Sequence, residues 1–153
     1  MHVVVGSDHG GAQLKHELIE YIKQLYPNVT ISSKGSESST DSQDYPNVAR
    51  QVCLEVLSLP NEKSFGVLVC GSGIGMSIAA NKINGIRCAL VHEGYSAKMA
   101  RRHNDANVIA LGQRVTGSGV AKEALAIFLN EEFEGGRHCT RVAILSELEK
   151  LFN

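Results

Sequence analysis

The chain has 153 residues, 43% of them hydrophobic, and a formal net charge of -1. That length suits one domain with a substantial core, and 15 basic against 16 acidic residues create no global field to attract nucleic acid or an anionic membrane. No apolar run approaches a membrane span and the chain enters a strand pattern at once, HVVVGSDHG, so a soluble cytoplasmic protein is expected, with no membrane or nucleic-acid partner.

Residues 2–6 are mostly valine and predict a buried parallel strand, followed by the loop Ser7-Asp8-His9-Gly10-Gly11 and a helix over about 12–26. In that helix Leu14, Leu18, Ile22 and Leu25 repeat at helical spacing, while Lys15, Glu17, Glu20 and Lys23 occupy the other faces. Asp8 or Ser7 is placed to cap it, and His9 lies in the loop. Residues 28–33 predict a second strand and 34–42 a polar loop. The next helix starts near Asp44, where the acid can cap, Pro46 fits the first turn, and Val48, Val52 and Val56 mark an inward face. Tyr45 either covers core or projects its hydroxyl into a pocket.

Residues 65–69 form an apolar run that stops at Cys70, where Gly71, Ser72, Gly73, Ile74 and Gly75 open a helical pattern. A thiol thus sits at a strand-to-helix switch, where loop amides and a helix N-terminus favour negative charge. Residues 87–91 predict a further buried strand, His92-Glu93-Gly94 leads into a helix ending near His103, and 108–111 supply a fifth strand. Gly112-Gln113-Arg114 follows, then an amphipathic helix over 120–129. Five strand-helix units predict a three-layer α/β/α sandwich: a Rossmann-like five-stranded parallel sheet, here with a C-terminal helix, and a ligand crevice at the strand carboxyl ends. Asp8, His9, Cys70, Glu93 and Arg114 fall on that edge. Gly135-Gly136 then breaks the chain before a last helix with Val142, Leu145, Leu148 and Leu151 on one face and Arg137 and Arg141 on another. The two arginines, four residues apart at a helix start, suit either phosphate or ordinary solvation. We read residues 1–153 as one domain, with 137–153 a C-terminal helix contacting a second subunit.

Several chemistries fail on the residues themselves. A dinucleotide fingerprint counted from Gly71 meets Met76 at its third glycine, and no G-K-S or G-K-T completes a P-loop. The six histidines show no zinc-enzyme spacing. Cys53, Cys70, Cys88 and Cys139 contain no C-x-x-C pair, so free thiols are expected, and Cys53 and Cys88 read as packing residues. His103, beside Arg101 and Arg102, has a plain explanation as a cation at a helix C-terminus.

Taken together, Asp8-His9-Gly10, Asp44-Tyr45-Pro46, Cys70 to Gly75, Ser77 to Lys82, His103-Asn104-Asp105 and Glu134 to His138 resemble the ribose/galactose sugar-phosphate isomerases, most nearly the type B ribose-5-phosphate isomerases. Many members carry threonine where this chain has Ser72. The resemblance implies interconversion of ribose 5-phosphate and ribulose 5-phosphate through a cis-enediolate, with no cofactor and no metal. It implies Cys70 as base, Ser72 assisting at the substrate oxygens, Gly71, Gly73, Ile74 and Gly75 as oxyanion loop, and His103 with Asp8 as ring opener. Tyr45 and Asn104 would orient hydroxyls. His9, Arg114, Arg137, His138 and Arg141 would bind phosphate, some from the second subunit of a homodimer or tetramer. A six-carbon substrate such as allose 6-phosphate or galactose 6-phosphate, or a non-catalytic sugar-phosphate-binding subunit, are the alternatives.

Overall fold

The computed structural model describes residues 1–59 and 63–151; residues 60–62 and 152–153, which the expected single domain included, lie outside the described residues. The elements run β1 (His2–Ser7), a 3-10 turn (His9–Gly11), α1 (Ala12–Leu25), β2 (Thr30–Gly35), α2 (Tyr45–Leu57), β3 (Ser64–Cys70), α3 (Ile74–Ala80), β4 (Cys88–Leu90), α4 (Gly94–Asn104), β5 (Val108–Gly112), α5 (Ser118–Asn130) and α6 (Arg137–Leu148). All five strands are parallel, in the order β2-β1-β3-β5-β4.

This order determines where each helix goes. The connections β1 to β2 and β4 to β5 step one way across the sheet, whereas β2 to β3 and β3 to β4 step the other way. Right-handed crossovers then send α1 and α4 to one face and α2 and α3 to the opposite face. The two cores agree: Leu14, Leu18 and Ile22 of α1, Ala97 and Ala100 of α4, and Leu125 and Phe128 of α5 pack on Val3, Val5, Val67, Val69, Ile109 and Leu111. On the other side Val48, Val52 and Val56 of α2 and Met76 and Ala80 of α3 pack on Val4, Leu68, Cys70, Val108 and Ala110. Alternation along β3 therefore turns Cys70 toward the α2/α3 layer. Buried Met76 fills the place where a dinucleotide loop needs a glycine.

Two arginines fasten the end of α4. Arg101 is buried with its guanidinium 5.0 Å from the Phe65 ring centre and bonds to Asp105 at 2.8 Å and the Ala106 carbonyl at 2.6 Å. Arg87 donates to the carbonyls of Asn104 and Asp105 and to the Asp105 carboxylate. Cations there complement the helix C-terminus, and Asp105 ends the helix in the left-handed region at φ 45°. His103 and Asn104 are thus held on a pinned helix end.

Four expectations need correction. Lys15, expected on an outer face, is fully buried; its amine reaches Glu37 at 2.8 Å and the Lys34 carbonyl at 3.4 Å, tethering the loop after β2. Leu25, expected inward, is exposed at the helix end. β4 is a three-residue edge strand of intermediate burial, because β5 rather than β4 pairs with β3. Neither Asp8 nor Asp44 makes a side-chain cap, although Asp44 occupies the N-cap position and Pro46 the first turn of α2. Among the described residues no helix is long and apolar enough to cross a membrane.

Candidate active site

The carboxyl ends of β1 and β3 lie side by side, and glycines let their loops touch. A Cβ on Gly11 would stand 2.6 Å from the Val69 carbonyl, and one on Gly10 would stand 3.2 Å from the Gly71 nitrogen and 3.3 Å from Asp8 Oδ1. The Asp8 loop is therefore pressed onto the Cys70 loop. Cys70 is 6% exposed, and its Sγ accepts the Gly73 N–H at 3.0 Å. Gly73 adopts φ 79°, which a side chain would resist; this turn aims its amide back at the sulfur. Ser72 Oγ accepts the Ile74 N–H at 3.3 Å.

Neighbouring elements close around this loop. Arg114 donates its backbone N–H to the Gly71 carbonyl at 2.9 Å, and a Cβ on Gly71 would meet its guanidinium at 3.3 Å. The Tyr45 ring lies over Gly75, where an added Cβ would be 2.8 Å away. Asp8 is 9% exposed, and its Oδ1 has no hydrogen-bond partner among the described residues. Leaving a buried carboxylate oxygen unpaired costs about 1–3 kcal/mol or more, so this atom is poised for a guest. Asp8, His9, Tyr45, the loop 70–75 and Arg114 therefore share one edge of the sheet. Glu93 is on that edge as well, but its carboxylate is occupied in capping α4. It accepts the N–H groups of Ser96 at 2.8 Å and Tyr95 at 2.5 Å. The Ser96 side chain, followed by these amides, holds it below the ordinary carboxylate range.

His103, Asn104, Arg137, His138 and Arg141 form a second group elsewhere. α4 starts at the carboxyl edge and its 11 residues rise roughly 16 Å, so His103 stands at the opposite end of the sheet, near the start of β5. There its ring stacks on that of His138, with centroids 4.2 Å apart and planes 7° from parallel. Gly135 and Gly136, at φ 67° and 55°, turn the chain so that α6 begins beside α4. His138 is buried and accepts from Arg137 Nε at 3.4 Å, whereas Arg137 and Arg141 remain exposed. Burial, and then the positive charge of His103, Arg137 and Arg141, hold His138 below the ordinary histidine range; Glu134 pulls the other way.

The donor atoms of His103, Glu134 and His138 lie within 4.8 Å of one another, which raises the question of a metal. Imidazole lone pairs lie in the ring plane, and two stacked parallel planes never meet at one ion about 2 Å from both nitrogens. Three arginines nearby also favour an anion. Cys53 and Cys88 behave as packing residues: burial pushes the Cys53 thiol up to about 12 and raises Cys88 too. The sequence pattern left Glu134 without a role and hid the buried Lys15; helical periodicity does not signal a charge folded inward through its own aliphatic stem.

Residues 3–145 match the ribose/galactose isomerase family. The chain is 42% identical over 151 residues to ribose-5-phosphate isomerase B of Escherichia coli (strain K12), covering 99% of this chain and 98% of that one. It is 38% identical over 142 residues to the D-erythrulose-4-phosphate isomerase of Pectobacterium atrosepticum, covering 93% and 91%. Its fold superposes on the ribose-5-phosphate isomerase B of Clostridium thermocellum with a TM-score of 0.93 at 41% identity, over 100% of both chains.

Proposed function

The chain belongs to the ribose/galactose isomerase family and is a sugar-phosphate isomerase, and within that family we propose that it interconverts D-ribose 5-phosphate and D-ribulose 5-phosphate through a cis-enediolate. The observation that carries this reading is a thiol at a strand end, receiving a glycine-loop amide, beside a buried carboxylate oxygen that has no hydrogen-bond partner among the described residues. That pairing suits proton transfer next to a carbonyl.

Ribose 5-phosphate is mostly a closed ring, so the first step opens it. The proton on O1 passes to His103, the O1 electron pair forms the C1 carbonyl, the C1–O4 bond breaks onto O4, and Asp8 relays a solvent proton to O4. The Cys70 thiolate then takes the C2 proton. The released pair forms the C1–C2 double bond, and charge collects on O1 before the amides of Gly71, Gly73, Ile74 and Gly75. Ser72 shifts a proton between O1 and O2, and the thiol returns its proton to C1. Tyr45 and Asn104 orient the hydroxyls, while His9, Arg114, Arg137, His138 and Arg141 hold the phosphate, an anchor that positions the reacting carbons.

Because the two residue groups lie at opposite ends of one sheet, the site is completed by a second copy of the chain, whose α4 and α6 bring His103 and the arginines to Cys70. The exposed apolar face of α6, Ile144, Leu145 and Leu148, supports this assembly. The direct test is the purified, chelator-treated chain on ribose 5-phosphate, allose 6-phosphate and erythrose 4-phosphate. Fastest turnover of ribose 5-phosphate is expected; faster turnover of the four-carbon sugar would move the chain toward its Pectobacterium relative's substrate.

A further inference from the structure

Glu134 has no part in the mechanism above, yet it is the carboxylate held against the ring opener. Its backbone N–H donates to the Arg102 carbonyl at 3.0 Å, and its Oε2 pairs with the Arg102 guanidinium at 3.2 Å. Both ends of Glu134 are thus clasped to the residue next to His103. The same Oε2 lies 3.7 Å from His103 Nε2. On the other side, the parallel stack with His138 fixes the His103 ring plane. His138 is itself buried and receives the Arg137 N–H, an arrangement that keeps its Nε2 an acceptor. The charged groups around the stack are Arg102, Glu134, Arg137 and Arg141. Among these groups Glu134 is the one anion, and it faces Nε2 of His103.

We propose that Glu134 is a positioning residue for ring opening: it accepts Nε2–H of His103, so that Nδ1 carries the lone pair that takes the O1 proton, and it stabilises the imidazolium this transfer creates. The step is the one written above, with O1–H lost to Nδ1 and the C1–O4 pair leaving onto O4. Glu134 touches neither substrate nor the reacting atoms. At 3.7 Å the two atoms stand at ion-pair distance, and the contact strengthens into a charge-assisted hydrogen bond as the imidazolium forms.

The inference rests on the reading of His103 as ring opener, so the experiment separates the two. Enolisation alone is read by deuterium wash-in at C1 of ribulose 5-phosphate, an open-chain sugar; ring opening plus enolisation is read by conversion of ribose 5-phosphate. His103→Asn should lose conversion and keep wash-in. If it loses both equally, or neither, the parent reading fails, visibly in this arm. Glu134→Gln should slow conversion roughly tenfold or more with wash-in nearly unchanged, and should move the acidic limb of the conversion profile to lower pH, because an imidazolium without its carboxylate is less favoured. Glu134→Asp should recover part of the loss. The double variant His103→Asn with Glu134→Gln should be no slower than His103→Asn alone, since both changes remove one function. Unchanged conversion in Glu134→Gln, an equal fall in wash-in, or a double variant slower than His103→Asn would each overturn the proposal.

Discussion

Cys70 is where the most specific chemical demand falls on a single atom. A base aimed at carbon supplies roughly 100- to 10000-fold, so Cys70→Ala should lose that much in both ribose 5-phosphate conversion and deuterium wash-in at ribulose 5-phosphate C1. Wash-in at the wild-type rate would rule the thiol out as base. Gly75 makes a second prediction, of a different shape. It lies in the first turn of α3 at a φ outside the left-handed region, where alanine is at least as well tolerated as glycine, but a Cβ there would stand 2.8 Å from the Tyr45 ring. Tyr45 is 42% exposed and free to swing outward. Gly75→Ala should therefore leave the melting temperature level or raised while increasing KM, and an unchanged KM would remove Tyr45 from the binding surface. Cys70 was legible in the sequence because an apolar run ended on it and glycines followed. The partnerless oxygen of Asp8 was not, since pattern shows where a residue falls and not whether its hydrogen bonds are met.

At the scale of elements, the strands and helices were readable from periodicity, but the contacts that align them were not. The tether from α1 to the loop after β2 is the clearest case. Lys15 is fully buried, whereas Glu37 is 67% exposed and also pairs with His16 at 3.0 Å. Removing the two partners should therefore cost different amounts. Among the described residues Glu37→Ala leaves the buried ammonium with the Lys34 carbonyl, a loss that solvent around the exposed carboxylate limits to about 1–2 kcal/mol, while Lys15→Met replaces the cation by an apolar chain of similar volume and should be close to neutral. Chemical denaturation of both variants checks the order, and equal losses would mean that water reaches the amine. The Lys15 hydrogen bond, followed by that of His16, holds Glu37 below the ordinary carboxylate range. A lowered folded-state value means that the stabilisation is complete above the unfolded value and disappears as acid titrates through the folded one. The wild type should therefore lose this contribution only under acidic conditions, and Glu37→Ala should flatten that part of its stability profile. Because the loop leads to Tyr45, the tether also bears on the site.

For the whole molecule the decisive fact is a length. The order of strands and helices in the chain places Cys70 at one end of β3 and His103 at the end of a helix running back the other way, about 16 Å of α4 between the two edges. Residue types and spacing announced both residues but not their separation; that follows from α4 starting at the carboxyl edge of a parallel sheet and running back along it. If the site forms across two copies, inactive variants should complement each other. Cys70→Ala chains retain His103, and His103→Asn chains retain Cys70. A mixed dimer then contains one site with both residues and one with neither. Random re-pairing makes half of the dimers mixed, so an equal mixture, unfolded and refolded together, should regain about a quarter of wild-type ribose 5-phosphate conversion, while each variant refolded alone stays inactive. A site contained within one chain gives no recovery in the mixture, because neither variant then supplies what the other lacks.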